Sequence, residues 1–243
     1  MTDDTIGVPR VDGLTFHRLE QSAANLGRHV LHDVRSLEHD AAVLVAGRTA
    51  PLKTVMHRCT VDPWDQGDVG GCTANAAIGL LVTEPFAVAG RTFTEADALE
   101  LYKEETRLDD SQIPGHYPAE DTGSTGLWSM KALKARGMIK GYRHAFSLGT
   151  ALRLLQSWPV STGVPWFNSM FNVDAHGFIK VDQASGLAGG HQVAIVGIDV
   201  DRKAVRVRNS WGTGWGDGGY AWLSWSDWKT LLHLHGDVVV PEV

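Results

Sequence analysis

The fold is decided by the run Trp64-Asp65-Gln66-Gly67-Asp68-Val69-Gly70-Gly71-Cys72-Thr73-Ala74-Asn75-Ala76, in which a polar, glycine-rich loop leads into an apolar segment. Residues 73–88 are rich in Ala, Ile, Leu and Val and contain no proline before Pro85, so they predict a buried helix that begins near Cys72. A helix N-terminus carries partial positive charge and unpaired N–H groups, which favour a thiolate and can hold an oxyanion. The side-chain amide of Gln66 is a second donor in the same loop. We therefore predict a nucleophilic thiol at Cys72.

The composition is that of a globular protein with an acidic surplus. The 243 residues carry a net charge of −6 and are 43% hydrophobic. Runs of Lys and Arg are short, so the basic surface that a nucleic-acid partner requires is missing. The first residues, MTDDT, lack the layout of a secretory signal, and no apolar stretch approaches the roughly 20 residues that span a bilayer. We expect a cytoplasmic protein with neither a nucleic-acid nor a membrane partner.

The two cysteines, Cys59 and Cys72, allow at most one disulfide. If Cys72 is a nucleophile, that bridge cannot persist in the active form, and such sparse cysteine usage suits a reducing compartment. The alternative interpretation is a structural bridge between Cys59 and Cys72.

The pattern of the chain changes from helical to extended near residue 141. The predicted helices cover residues 16–31, 73–88, 95–106 and 128–136, with Thr94 as a cap and a stop at Gly137. The predicted strands cover residues 54–56, 157–163, 166–167, 178–181, 193–200 and 204–208. Helices followed by strands predict an α+β protein with two lobes, and the cleft between them is the expected place for chemistry.

A thiol nucleophile needs a base, and the base needs a group that orients it. His191 follows two glycines and precedes an apolar strand, which predicts a position at the edge of a cleft. Asn209 stands where another predicted strand ends, in Arg208-Asn209-Ser210-Trp211-Gly212, and its neutral amide can fix the histidine tautomer without adding charge. The adjacent Trp211 can exclude water from that hydrogen bond.

Together these blocks resemble the papain-like cysteine peptidases of bacterial or phage type. The resemblance lies in Gln66-Gly67 with Cys72, in His191 before a hydrophobic strand, and in Asn209-Ser210-Trp211-Gly212 with Gly214-Trp215-Gly216, all in the family's order. It implies a papain-like two-lobed fold, with a helical N-terminal lobe, a β-rich C-terminal lobe and the active-site cleft between them. The implied domains are an extension at 1–50 and a peptidase domain at 51–243, with its helical lobe at about 65–140 and its β-rich lobe at about 141–243.

The resemblance also implies the roles of individual residues. Cys72 is the expected nucleophile, a thiolate facing the His191 imidazolium, and it forms a thioester acyl-enzyme. Asn209 orients His191 and Trp211 covers their contact, while the Gln66 side chain and the Cys72 N–H hold the oxyanion. The implied substrate is an extended peptide or protein.

Four residues are expected at the substrate-binding surface. By analogy with the family, Gly123 and Ser124 line one wall of the cleft and Gly190 the other, with Trp211 close to them. The competing interpretation of Asp121-Thr122-Gly123-Ser124 is an ordinary turn.

Two residues depart from the pattern of secreted plant and lysosomal relatives. Thr73 replaces a tryptophan, and Val69 replaces a cysteine that those enzymes use in a disulfide. Both departures favour a bacterial or phage type of the family and a reducing compartment.

Several alternatives stay open at the level of sequence. The same fold and thioester suit a transpeptidase or a cell-wall amidase, and a non-enzymatic papain-like module of a phage-like particle is the third hypothesis. The residues before position 51 are too few for a typical inhibitory pro-segment and are interpreted as a flap over the cleft, an adaptor or an oligomer contact. The oligomeric state is left open.

No cofactor and no metal ion are expected. His233 and His235 have a spacing that suits two ligands on one face of a strand, but no acidic or cysteine cluster accompanies them. Trp222, Trp225 and Trp228 are interpreted as packing at the edge of the β-rich lobe and not as a carbohydrate-binding surface.

Overall fold

The computed structural model describes residues 26–30, 34–87, 90–110, 113 and 115–243. The α-helices of these residues are α1 (Ala42–Val45), α2 (Cys72–Leu81), α3 (Glu95–Leu108), α4 (Gly126–Ala135), α5 (Leu148–Leu154) and α6 (Trp225–His233). Short 3₁₀ helices lie at Val34–His39, Asn168–Phe171 and Gln183–Ser185.

One antiparallel sheet holds the strands. They are β1 (Val55–Met56), β2 (Gly141–His144), β3 (Val160–Phe167), β4 (Leu187–Asp199), β5 (Ala204–Arg208), β6 (Tyr220–Ser224) and β7 (Asp237–Glu242). Their order is β2-β7-β3-β4-β5-β6, and β1 pairs with the end of β4 that lies beyond β3. Helices α2, α3 and α4 pack on one another and α2 packs on β4, so a helical layer lies beside the sheet, which is the predicted α+β arrangement.

Helix α2 forms the centre of the molecule. All ten of its residues are buried, as expected of a segment that is apolar on every side. Small side chains let it approach the sheet: a Cβ at Gly79 would lie 3.7 Å from the Cβ of Ala194 in β4. This packing sets the first residue of α2, Cys72, against the strand that carries His191.

The three helices predicted between residues 73 and 136 are confirmed, with different bounds. The helix expected at 73–88 ends at Leu81, because the chain turns at Thr83, whose hydroxyl donates to the carbonyl of Gly79, and Pro85 follows. The helix expected at 95–106 runs to Leu108, and both the N–H and the hydroxyl of Thr94 donate to Asp97 at its start. Helix α4 begins two residues earlier than expected.

Most of the predicted strands are present, with different bounds. Residues 54–56 and 204–208 correspond to β1 and β5, the two short runs at 157–163 and 166–167 are one strand, β3, and β4 begins earlier than expected, at Leu187. The prediction at 178–181 is wrong: this segment makes only isolated bridges, from Phe178 to Trp222 and from Ile179 to Val173. Helices α5 and α6 and strand β7 were not predicted.

The helix predicted at 16–31 falls mainly outside the described residues, which omit 1–25 and 31–33. Its described part, residues 26–30, is extended and not helical. The backbone of these residues bonds to Ser124 and Gly190 across the cleft and not to itself. Residues 34–50 of the predicted extension also join the fold, since Ala41 and Val45 belong to the hydrophobic core and the N–H of Ala41 donates to the carbonyl of His144.

Candidate active site

Cys72 is the first residue of α2 and its side chain is completely buried. Burial raises the pKa of the thiol to about 11, and the backbone amides of Gln192 and Gly27, which face the sulfur, act in the opposite direction. Cys59 is also a free thiol, 3.4 Å from the hydroxyl of Thr83. The alternative of a disulfide between the two cysteines is therefore wrong.

His191 lies in β4 and is held from three sides. Its Nε2 is 2.7 Å from Oδ1 of Asn209, the ring of Trp211 stacks on it with centroids 4.8 Å apart, and the edge of Trp166 meets it at 4.9 Å. Since an amide oxygen only accepts, Nε2 carries the proton and Nδ1 is the basic nitrogen. In the described part of the chain, Nδ1 has no hydrogen-bond partner.

The burial of this pair sets its protonation. Burial lowers the pKa of His191 to about 4, and the hydrogen bond that its Nε2 donates to Asn209 only partly opposes this shift. With the thiol pKa of Cys72 raised to about 11, both groups are neutral near pH 7. Burial therefore opposes the thiolate and imidazolium that the resemblance implies, and that charged pair stays a prediction.

Gln66 connects the cysteine loop to the loop that carries Asn209. Its Nε2 donates to the carbonyl of Val69 at 2.8 Å, and its Oε1 accepts from the hydroxyl of Ser210 at 2.5 Å. The backbone N–H of Gln66 also donates to the carbonyl of Ser210 at 2.9 Å. These three bonds fix the side-chain amide between the two lobes.

Residues 26–30, here called the cleft segment, lie between the two walls of the site. The N–H of Arg28 donates to the carbonyl of Gly190 at 3.0 Å on the sheet side. On the helical side, Ser124 donates its N–H to the carbonyl of Gly27 and accepts from the N–H of His29, both at 2.8 Å. The cleft segment thus runs as an extended strand directly over Cys72.

The three glycine and serine residues expected at the cleft walls all meet the cleft segment. Ser124 and Gly190 bond to its backbone as described, and a Cβ at Gly123 would lie 2.2 Å from the carbonyl oxygen of Gly27. A Cβ at Gly190 would lie 2.2 Å from the carbonyl oxygen of Arg28. The walls are therefore shaped for a main chain in close contact, and the role of these residues toward a substrate stays a prediction.

Tyr102 and Asp121, which support this wall, were not predicted from the sequence. Tyr102 donates its hydroxyl to Asp121 and accepts from the N–H of Gly123 at 2.9 Å. Asp121 also accepts from the N–H of Gly70 at 2.8 Å. The pair holds the cysteine loop and the cleft wall together, but it forms only when α3 packs beside that loop.

The described residues contain no group of three or more His, Cys, Asp or Glu side chains that suits a metal ion. His233 ends helix α6 and His235 lies in the turn that follows it, so the two do not share a strand face. Across the described ranges, no helix is both long and apolar enough to cross a membrane.

The described fold, with a cysteine at the start of a central helix and a histidine and an asparagine on the facing sheet, is that of the papain-like proteases. It is similar to xylellain, a cysteine protease from Xylella fastidiosa, with a TM-score of 0.68 over 95% of this chain and 99% of that one at 19% identity. It is also similar to digestive procathepsin L 3 of Tenebrio molitor larval midgut, with a TM-score of 0.54 over 80% and 71% of the two chains at 16% identity.

The chain belongs to the papain family of cysteine proteases, because residues 94–230, more than half of its length, match that family. An uncharacterized peptidase C1-like protein of Acanthamoeba polyphaga mimivirus is 27% identical over an alignment of 198 residues, and the match covers 64% of this chain. The chain spans 62% of the length of that relative. The family match includes His191 and Asn209 and begins after Cys72.

Proposed function

We propose that the protein is a cysteine peptidase that hydrolyses peptide bonds through a thioester on Cys72. The observation that carries the proposal is the hydrogen bond between His191 and Asn209, which leaves the basic nitrogen of a buried imidazole unpaired beside the helix that begins at Cys72. Membership of the papain family supports it.

The proposed reaction starts when a peptide replaces the cleft segment. Nδ1 of His191 takes the thiol proton, and the sulfur of Cys72 attacks the scissile carbonyl carbon. The N–H of Cys72 and the amide of Gln66 donate to the oxyanion that forms. The C–N bond breaks as His191 returns the proton to the leaving amine, which leaves a thioester. Water, deprotonated by His191, then hydrolyses that thioester and restores the thiol.

The substrate peptide is proposed to bind between the two walls that now hold the cleft segment. The backbone groups of Ser124 and Gly190 that now bond to the cleft segment are the proposed partners of a substrate main chain. We place the enzyme in a reducing compartment such as the cytoplasm, since the two cysteines are free and are not linked to each other.

The decisive experiment compares Cys72→Ala with Cys59→Ala in hydrolysis of a fluorogenic peptide library by the full chain. We expect Cys72→Ala to lose at least a thousandfold in rate, because the nucleophile is gone, while Cys59→Ala stays close to the parent. Full activity in Cys72→Ala would contradict the proposal. Addition of amine acceptors separates hydrolysis from transpeptidation, and absence of any cleavage of the library by the parent chain would favour a binding module.

A further inference from the structure

The side chain of Arg28 fills a pocket in the wall of the cleft. It is completely shielded from solvent, and its Nη2 donates to the carbonyl oxygen of His235 at 3.0 Å and to Oδ2 of Asp237 at 3.2 Å. The pocket exists because residue 163, in β3, is a glycine: a Cβ there would lie 1.9 Å from Nε of Arg28. A long, positively charged side chain thus occupies a slot that any larger residue at position 163 would close.

The floor of this pocket is negative. Asp237, the first residue of β7, is held by the N–H of Gly163, which donates to its Oδ1 at 2.9 Å while its Oδ2 faces Arg28. The carbonyl of His235 lies just past the end of α6, where the helix contributes partial negative charge. The side chain of Asp237 is only 12% exposed, so solvent screens its charge weakly.

Gln192 brings a further acceptor to the same space. Its Nε2 donates to the hydroxyl of Ser161 at 2.7 Å, whereas its Oε1 is buried and has no hydrogen-bond partner among the described residues. A Cβ at Gly163 would lie 2.4 Å from this oxygen, so the oxygen borders the stem of Arg28. Nε and Nη1 of Arg28 are likewise buried donors that no described residue accepts from. The main chain of Arg28 is fixed by both walls, and its side chain leaves one acceptor of the pocket, Oε1 of Gln192, without a hydrogen bond.

The pocket adjoins the nucleophile. The backbone N–H of Gln192 faces the sulfur of Cys72, while the side chain of the same residue lines the pocket. Along the cleft segment, the N–H of Gly27 faces that sulfur, and Arg28 is the next residue. The residue whose side chain fills the pocket, Arg28, is therefore the direct neighbour of the residue whose main chain contacts Cys72, Gly27.

We propose that, when a substrate replaces the cleft segment, this pocket receives an arginine side chain of the substrate, with Asp237 as the residue that determines the preference. The proposal rests on the peptidase function proposed above and adds its substrate class. Arginine fits because its planar group presents several donors at once, to Oδ2 of Asp237, the carbonyl of His235 and Oε1 of Gln192. An apolar side chain would bring no donor to Oδ2 of Asp237 or to the buried Oε1 of Gln192, and a site built around polar groups discriminates strongly against a ligand that cannot pair with them.

The test uses two coumarin-linked dipeptides, acetyl-Arg-Gly and acetyl-citrulline-Gly, which have the same shape but differ in charge. Their arginine or citrulline precedes the glycine whose carbonyl is attacked, so they probe the pocket with a chain that runs opposite to the cleft segment, in which Arg28 follows Gly27. Their kcat/KM values are measured with the full chain, with Asp237→Asn, and with Asp201→Asn as the matched control in an exposed turn. Asparagine keeps an oxygen that can accept from Gly163. Because both substrates are measured on one enzyme, their ratio is independent of the folded fraction and of how readily the cleft segment leaves.

We expect the parent and Asp201→Asn to favour the arginine peptide by about 10- to 100-fold, the range of a charge-assisted hydrogen bond in a shielded site, and Asp237→Asn to bring the ratio near one. The binding of the corresponding uncleavable amides to Cys72→Ala is measured by calorimetry. Equal cleavage and equal binding of the two peptides, or a ratio that Asp237→Asn leaves unchanged, would overturn the arginine preference and leave the peptidase proposal standing. Selective binding without any cleavage would support the pocket and refute the peptidase. Absence of both cleavage and selective binding would overturn both proposals.

Discussion

Asn209 shows why an amide suits this site. Its Oδ1 accepts from Nε2 of His191 at 2.7 Å and from the N–H of Ser210 at 2.8 Å. A carboxylate would accept the same two bonds, but it would place a negative charge in a position that is 3% exposed. The amide orients the imidazole without the desolvation cost of a buried negative charge.

Replacement of Asn209 by alanine should lower kcat by about one to two orders of magnitude. The imidazole loses the hydrogen bond that fixes its tautomer and ring plane. A general base increases the reaction rate about 10²- to 10⁴-fold, and a misoriented base loses part of that increase. Steady-state kinetics of the purified variant provide the measurement. Asn168→Ala is the control, since the side chain of Asn168 is exposed and donates only to the backbone carbonyls of Ser185 and Gly186. Equal kcat in the two variants would rule out an orienting role for Asn209.

Some residues of the site can be predicted from the local sequence and others cannot. His191 and Asn209 were predicted because glycines and the ends of apolar runs mark them locally. Arg28 and Asp237 carry no such mark, and their contact joins positions 209 apart in the chain. Only the complete fold brings the two charges together, so no local pattern predicts their pocket.

The cleft segment is the element whose removal has the clearest expected effect. A Cβ at Gly27 would lie 1.7 Å from the carbonyl oxygen of Gly70, so Gly27→Ala cannot keep the segment in place. Its departure exposes Cys72, and the thiol pKa falls from about 11 because burial is what raises it. At pH 7, each unit of that fall increases the thiolate fraction about tenfold.

We therefore expect Gly27→Ala to increase both peptide hydrolysis and the rate of Cys72 alkylation by iodoacetamide at pH 7, by tenfold or more. Mass spectrometry measures the alkylation, with Cys59 in the same sample as an internal reference. Gly149→Ala is the matched control, because a Cβ at Gly149 in α5 meets only the hydroxyl of Ser147, at 3.8 Å. Alkylation that stays at the parent rate in Gly27→Ala would show that the segment does not shield the thiol.

Helices and strands that bury an apolar face were predicted from the sequence. Segments whose conformation is set by hydrogen bonds to distant residues were not. Helix α2 and strands β4 and β5 follow from continuous or alternating apolar runs. The cleft segment was interpreted as part of a helix because its pattern allows one. Its extended form is set by hydrogen bonds to Ser124 and Gly190, residues that lie far away in the chain.

In the whole molecule, the lobes are joined by buried polar groups as well as by the core. Arg208, at the end of β5, donates to the carbonyls of Val61 and Asp62 at 2.8 Å, and so ties the approach to the cysteine loop to the sheet. Such contacts between an arginine and backbone carbonyls leave no signature in a single sequence, although the two-lobed arrangement itself was predicted from helices followed by strands.

Stability should depend on pH through Glu105, which is completely buried in the helical layer. Burial raises its pKa well above the usual value, a hydrogen bond from Thr73 opposes the shift, and Asp109 adds to it. The folded chain therefore keeps the proton while the unfolded chain releases it, so the stability that this group contributes is present below about pH 4.5 and is lost as the pH rises.

Glu105→Gln should accordingly become more stable relative to the parent as the pH increases from 5 to 7, by up to about 1.4 kcal/mol per pH unit. Urea denaturation at each pH gives the free energies of unfolding. Glu120→Gln, at an exposed position, is the control. A difference between Glu105→Gln and the parent that is constant with pH would show that Glu105 is ionised in the folded chain.

The occupant of the cleft is part of the same chain, so its competition with any substrate is intramolecular. A tethered competitor acts at a fixed effective concentration, of millimolar order for short flexible connections, and dilution of the protein does not relieve it. Every reversible ligand of the cleft then binds with its intrinsic affinity multiplied by the fraction of molecules whose cleft is open. A series of small inhibitors measured on this chain will keep its true ranking, while each apparent dissociation constant is raised by one common factor.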